Sequence, residues 1–250
     1  MDAASNVRNI AKKEWLAYFN SPVAYVFIVI FLMLSGFFTF MVGHFYEAMQ
    51  ADLSGPNGFF LWHPWLYLIL VPAVAMRLWA EERRSGTLEL LLTLPVTPAQ
   101  AIAGKFLAAW LFLLLALALT FPIVVTTAYL GSPDWGAVAT GYLGSALLAG
   151  AYLAVGMLTS ALTRNQVISF ILAVVIGLFL ILAGYPPVTD VLSRVAPDAL
   201  VRGVAELSFM THFESMQRGV IDLRDVVYFA AVVAFMLFAT HVVLQNRKTR

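Results

Sequence analysis

Residues 80–95, AEERRSGTLELLLTLP, hold the densest run of charge in a chain that is otherwise mostly apolar. Four charged side chains stand side by side at positions 81–84, and a glycine and a leucine-rich segment follow them. Gly86 can end the helix before it, and Thr87 can cap a new helix. The stretch therefore predicts a charged helix end followed at once by a second helix start.

The second helix is predicted to be short and leucine-faced. Glu89 lies in its first turn, where the helix dipole favours negative charge. Pro95 ends it within about two turns, because a residue before proline avoids the helical region. We therefore expect a helix over residues 87–94, and the Thr97-Pro98 pair that follows has the pattern of another N-terminus.

The composition around this stretch indicates an all-α integral membrane protein. The chain has 250 residues, of which 61% are hydrophobic and 12% charged, whereas soluble domains have about 45–50% apolar and about 25% charged residues. The net charge of +1 leaves no basic excess for nucleic acid, and the lack of cysteine excludes disulfides and thiol catalysis.

Six apolar runs come near the roughly 20 residues that cross a bilayer: 23–42, 59–76, 106–130, 137–162, 167–183 and 226–244. Of the 15 lysines and arginines, 11 lie in the N-terminal segment, the second and fourth loops and the C-terminal tail. The positive-inside rule then places both termini and residues 80–95 in the cytoplasm. We expect a multi-pass protein of the cytoplasmic (inner) membrane of a prokaryote.

The N-terminal segment, residues 1–22, is predicted to be an interfacial amphipathic helix. Val7, Ala11 and Trp15 share one helical face, and Arg8 and Lys12 lie opposite. A frayed soluble tail is the alternative.

Motifs for catalysis in this chain are absent from the sequence. The Gly104-Lys105 pair lacks the earlier glycine and the following Ser or Thr of a phosphate-binding loop. The histidines share no metal-ligand spacing. No Asp, Glu, Lys or Arg falls inside the predicted spans, although transporters driven by ion gradients usually carry such groups there. We therefore expect no catalytic, cofactor or metal site, and an energy source outside this chain.

Two runs resemble a known family. EERRSGTLELLLTLPV, at 81–96, resembles the signature of ABC-2 type ABC-transporter permeases, and especially the gliding-motility and nitrous-oxide-reductase-maturation subgroup; HFESMQRGVIDL, at 212–223, is also similar to that subgroup. The resemblance implies one transmembrane domain over residues 1–250 that is not an enzyme. It also implies a second copy of the chain and a separate ATPase subunit that binds ATP and Mg, with membrane lipid and an extracytoplasmic auxiliary subunit as further partners.

By this resemblance, residues 87–94 are the cytoplasmic coupling helix between spans two and three. The four charged residues at 81–84, which we call the charged neck, set the position of this helix on the ATPase. The expected coupling residues are Glu81, Glu82, Arg83, Arg84, Gly86, Thr87, Leu88, Glu89, Leu91 and Leu92. By periodicity alone the leucines suit lipid equally well, so a helix that rests on the membrane surface stays open.

Small residues recur at every fourth position on the first and fifth spans, a pattern that lets helices approach closely. In the family these two spans of two copies meet, which implies a dimer interface here. Its expected residues are Ser35, Thr39, Ser169, Ala173 and Gly177. Packing inside one subunit is the alternative.

The stretch 184–225 is too long for a simple connection. Its apolar spacing predicts a helix that partly re-enters the outer leaflet, as the family's extracellular helices do, before the last span and tail at 226–250. The expected residues of an outer gate are Phe209, Met210, Phe213 and Met216. Ordinary capping of the bundle is the competing interpretation.

The function that follows is a permease subunit of an ATP-driven ABC-2 exporter that works as a homodimer. The runner-up is a membrane scaffold that does not transport but passes ATPase-driven motion to an extracytoplasmic partner. A secondary transporter is a distant third. The cargo is not encoded in any motif of the sequence.

Overall fold

The computed structural model describes residues 3–43, 53, 58–87, 96–194 and 196–248. Within these ranges the regular structure is helical. The helices are α1 (Ala3–Phe19), α2 (Pro22–Phe37, continued by a π-helical turn Phe38–Val42), α3 (His63–Ala75, preceded by a 3-10 turn Phe59–Trp62), α4 (Arg77–Ser85), α5 (Pro98–Ala118), α6 (Phe121–Leu130), α7 (Trp135–Leu162), α8 (Gln166–Leu182), α9 (Pro186–Leu192), α10 (Asp198–Ala205), α11 (Phe209–Gln217) and α12 (Leu223–Lys248).

Several of these helices are long and apolar enough to cross a membrane, so the chain is a multi-pass membrane protein. In the described part of the chain, five such segments are Pro22–Val42, Phe59–Ser85, Pro98–Leu130, Trp135–Leu162 and Leu223–Asn246. The helix pair Gln166–Leu182 and Pro186–Leu192, bent by 73°, brings the number to six if the pair is one broken span.

The bend lies directly after the fifth predicted span. Tyr185 has extended backbone, with φ −72 and ψ 125, because the residue before a proline is pushed out of the helical region. The chain therefore turns sharply between α8 and α9 instead of ending α8 in an open loop.

Local capping chemistry confirms the predicted helix boundaries at Gly86 and Thr97 and defines a third at Ser21. The Ser21 hydroxyl accepts a hydrogen bond from the Val23 N–H at 3.3 Å at the start of α2. Thr97 and Gln100 form the reciprocal capping box that begins α5. Gly86 ends α4 with φ +75, a left-handed conformation that glycine adopts without steric cost.

Helix α7 lies at the centre of the bundle and packs against α3, α5, α8, α11 and α12. It is rich in small residues, so neighbouring helices approach it closely. Gly156 lies directly against Ala75 of α3, and a Cβ added at Gly144 would lie 2.9 Å from the Cβ of Met216 on α11. The core is therefore built around α7, with α2 and α12 more exposed at the periphery.

Candidate functional site

The charged neck lies in α4, the helix before the predicted coupling helix. Helix α4 begins at a break in the helical segment that crosses the bundle. Pro72 has no N–H to donate inside α3. The helix ends at Ala75, and the residue that caps it, Met76, donates its N–H to the Pro72 carbonyl at 2.9 Å. A new helix starts at the next residue, Arg77. Such a break leaves backbone groups of both helix ends without their usual partners.

Ser160 of α7 satisfies the groups that the break exposes. Its hydroxyl accepts hydrogen bonds from the N–H groups of Trp79 and Ala80, each at 3.0 Å, and donates to the carbonyl of Met76 at 2.9 Å. A hydroxyl has one donor and two acceptor positions, so all three are used. This contact fixes the start of α4 to the end of α7.

A buried lysine holds the other side of the neck. Lys105 of α5 is only 3% exposed, and its Nζ lies 2.8 Å from Glu14 Oε1 of α1 and 2.8 Å from Glu82 Oε1 of α4. The ammonium also lies 5.3 Å from the ring centroid of Trp79, within the range of a cation–π interaction. We call Lys105, Glu14, Glu82 and Trp79 the lysine node; it joins three helices through one charge.

Helix α1 packs along α5 beside this node. The contacts follow in the same order on both helices: Asn6 with Gln100, Ile10 with Gly104, Glu14 with Lys105, and Tyr18 with Phe112. The two helices therefore run parallel. Arg8 and Lys12 are exposed and Trp15 is half-buried, and the apolar face of α1 packs on α5. Contact of this helix with the membrane surface stays a prediction.

Tyr18 adds no charge to this packing. Burial, and then the negative charge of Glu14, raise the pKa of Tyr18, so its hydroxyl is neutral at physiological pH. Its ring stacks on Phe112 at 4.9 Å between centroids.

The charged run at 81–84 divides into two pairs. Glu81 and Arg84 are exposed, whereas Glu82 and Arg83 are half-buried and face the neighbouring helices. Arg83 donates from Nη1 to the carbonyl of Ala161 at 2.7 Å, and Glu82 joins the lysine node. Only Glu81 and Arg84 of this run therefore face outward for a partner.

The remaining predicted coupling residues lie partly outside the described part of the chain. Gly86 and Thr87 are exposed, and the Thr87 hydroxyl lies 2.9 Å from that of Ser85. Leu88, Glu89, Leu91 and Leu92, with the predicted helix at 87–94, lie outside the described residues.

The small-residue stripes that were predicted to form a dimer interface are buried within a single copy of the chain. Ser35, Thr39, Ser169 and Ala173 are each at most 1% exposed. A Cβ added at Gly177 would lie 2.9 Å from the ring of Tyr152 and 3.0 Å from Leu68. Helix α8 therefore uses its small face to approach α3 and α7, and the dimer interface stays a prediction.

The predicted outer gate forms a helix, α11, that is set into the bundle. Phe209, Phe213 and Met216 are at most 1% exposed, and Met210 is half-buried. Phe209 contacts Tyr152 of α7 edge to face, with ring centroids 4.9 Å apart. The four residues thus lie together on the inner face of α11.

Sequence reasoning missed the lysine node and Ser160. A signal was present, because Lys105 is the single charged residue of α5, and a charge on an apolar helix needs a partner. The partners could not be found from the sequence, since Glu14 and Glu82 lie 91 and 23 residues away and no spacing rule links them.

A comparison with protein-family models matches residues 67–197, just over half of the chain, to the family described as ABC-2 family transporter protein. The matched region starts within α3 and includes α4, α5 and α7, which supply Glu82, Lys105 and Ser160. No curated protein matches the chain.

Proposed function

The chain belongs to the ABC-2 transporter family, and from this premise we propose that it is the permease subunit of an ATP-driven exporter. Membership implies in general an ABC ATPase as partner. In the proposed complex that ATPase binds ATP and Mg, and this chain supplies the membrane path and no catalysis of its own.

The way α4 is anchored is the observation that carries the proposal. Helix α4 leads directly into residues 87–94, the proposed coupling segment, and is held on one side by Ser160 and on the other by Lys105. A push on the coupling segment would therefore reach α7, α5 and α1 together. Coupling between distant sites travels through such rigid packed elements.

The proposed docking surface includes the outward pair of the neck, Glu81 and Arg84. Both are exposed and lie one turn from each other on α4. Their opposite charges can pair with charges on an ATPase surface, which sets the register of docking more than its strength.

We also propose that two copies pair. Since the small-residue faces are internal, the second copy would pack on the outward apolar faces of α2 and α8. These expose large side chains, among them Met33 at 69%, Val175 at 58% and Phe179 at 59%.

The resemblance of residues 212–223 to the gliding-motility and nitrous-oxide-reductase-maturation subgroup supports a further proposal, that an extracytoplasmic auxiliary subunit joins the complex. A permease and a mechanical scaffold would share the same neck. Movement of cargo across the membrane of proteoliposomes on addition of ATP supports the permease, and motion of the outer helices without cargo movement supports the scaffold.

Docking is tested by purifying the tagged chain from its native membranes and measuring the ABC ATPase that comes with it. Glu81→Lys should reduce the amount of ATPase, because it reverses one charge of the proposed docking surface. Asp190→Lys, an equal charge reversal on exposed α9, is the matched control and should leave the amount unchanged. Equal recovery from both variants would remove α4 from the docking surface.

A further inference from the structure

A histidine of α11 lies within hydrogen-bond distance of two acceptor groups, one at each ring nitrogen. His212 of α11 is 7% exposed, and its ring stacks on that of Tyr228 with centroids 3.8 Å apart. Nδ1 lies 2.7 Å from Oδ1 of Asp225, near the start of α12. Nε2 lies 3.0 Å from the backbone carbonyl oxygen of Glu206, at the end of α10.

Both of these partners are acceptors. A carbonyl oxygen cannot donate, and an ionised carboxylate only accepts, whereas neutral imidazole has a single N–H. The second oxygen of Asp225 accepts from the hydroxyl of Ser215, so the carboxylate is already directed by two donors. The arrangement is complete only when His212 carries both ring protons and a positive charge.

The charges around the ring agree with that state. The titratable groups facing it are Asp225 and Tyr228 of α12 and the Glu206 carboxylate, whose Oε2 lies 3.9 Å from Nε2. On α11 itself, Glu214 and Arg218 pair with each other in solvent. The groups nearest the two ring nitrogens are thus a carboxylate and a backbone carbonyl, both acceptors.

We propose that His212 is a proton-operated latch that ties α11 to α10 and α12. The protonated ring donates to Asp225 and to the Glu206 carbonyl, and these two hydrogen bonds hold α11 against α12 and α10. Loss of one proton leaves a lone pair facing an acceptor at one of the two contacts, which turns an attraction into a repulsion there.

The direction of the pH response follows from the number of protons. The latched form binds one proton more than the released form, so acid favours the latch and a rise in pH weakens it. Histidine is the side chain whose charge ordinarily changes between about pH 5 and 8.

The latch acts on residues of α11 that pack against α7. Phe213 and Met216 follow His212 on α11 and pack against Gly144 of α7. A released α11 can withdraw these side chains from α7. The meaning of that motion as gating rests on the proposed function, but the latch itself does not.

The test measures amide hydrogen exchange over residues 206–217 in the full-length chain in nanodiscs, without any ATPase, at about pH 5 and about pH 8. After correction for intrinsic exchange rates, protection should fall at least about tenfold at the higher pH, the effect of one pH unit of linkage. Equal protection at both values would overturn the latch. Because no ATPase is present, this outcome is separate from failure of the proposed function.

Two variants and a control assign the response. Asp225→Asn, which nearly preserves shape but removes the carboxylate, and His212→Gln should each abolish the pH response. Glu214→Gln, on the exposed side of the same helix, should keep it. A response that survives in Asp225→Asn, or one that is lost in Glu214→Gln, would contradict the assignment.

A measurement on the unmodified chain tests the latch even where the variants fail to fold. With ¹⁵N-labelled histidine, the nitrogen signals of the His212 ring should show both nitrogens protonated at about pH 5. A ring with a single proton under that condition would overturn the proposal.

Discussion

Replacing Lys105 by Met should destabilise the chain through the charges it leaves behind. Methionine keeps the apolar stem and removes the ammonium, so Glu14 and Glu82 face each other across α1 and α4 with no cation between them. The side chains are 4% exposed for Lys105, 25% for Glu14 and 22% for Glu82. Water therefore reaches the carboxylates only partly.

The expected loss follows from that partial burial. Removing one partner of a buried ion pair costs about 3–5 kcal/mol, and the exposure of the carboxylates places the cost near the lower end, at about 3 kcal/mol. In a domain of this size each kcal/mol shifts the unfolding temperature by about 2–4 °C, so it should fall by roughly 6–12 °C. The chain has 6 tryptophans, and their fluorescence in detergent reports the unfolding.

Two comparisons make the result specific. Lys12→Met removes an exposed lysine of α1 and should change stability by no more than about 0.5 kcal/mol. The triple variant with Glu14→Gln, Lys105→Met and Glu82→Gln should recover most of the loss, because no charge remains uncompensated. If Lys105→Met is no worse than Lys12→Met, the node does not hold the neck and the reasoning fails.

Three further predictions concern helix packing and the outer layer. Gly177→Ala should lower the unfolding temperature because its Cβ would meet Tyr152 and Leu68, whereas Gly36→Ala, with open space around it, should not; equal shifts would argue against close packing of α8. Single cysteines that replace Thr211 and Glu214 should react quickly with a water-soluble maleimide, and a cysteine that replaces Phe213 should react slowly. The chain has no native cysteine, so each label reports one position. Uniform labelling would mean that α11 is solvated. Ser160→Ala should cost about 1–3 kcal/mol, since it leaves the N–H groups of Trp79 and Ala80 without an acceptor, and a neutral effect in thermal unfolding would show that the break in the helix is satisfied otherwise.

Local signals in the sequence predicted much of the fold. Apolar runs located the membrane helices, and the caps at Gly86 and Thr97 have the expected geometry because capping depends on neighbouring residues alone. The bend between α8 and α9 was missed, although Pro186 was visible. A proline shows where a helix cannot continue, but not the direction that the chain takes afterwards.

The contacts of the candidate site depend on residues far apart in the chain and could not be predicted. A stripe such as Ser169, Ala173 and Gly177 says that some helix approaches closely, but not whether that helix belongs to the same copy. The charged run predicted a partner surface, yet Glu82 and Arg83 are turned inward by Lys105 and Ala161. Helical periodicity divides a run of four charges into two faces, and only the tertiary packing decides which face is free.

The proposed function requires that ATP hydrolysis by a partner moves the helices of this chain. The most direct measurement is the rate at which Thr211→Cys reacts with a water-soluble maleimide in proteoliposomes that contain the chain and its co-purified ATPase, with and without MgATP. The account predicts a rate that changes with MgATP and returns to its starting value once hydrolysis is blocked. An unchanged rate in the presence of an active ATPase would contradict it.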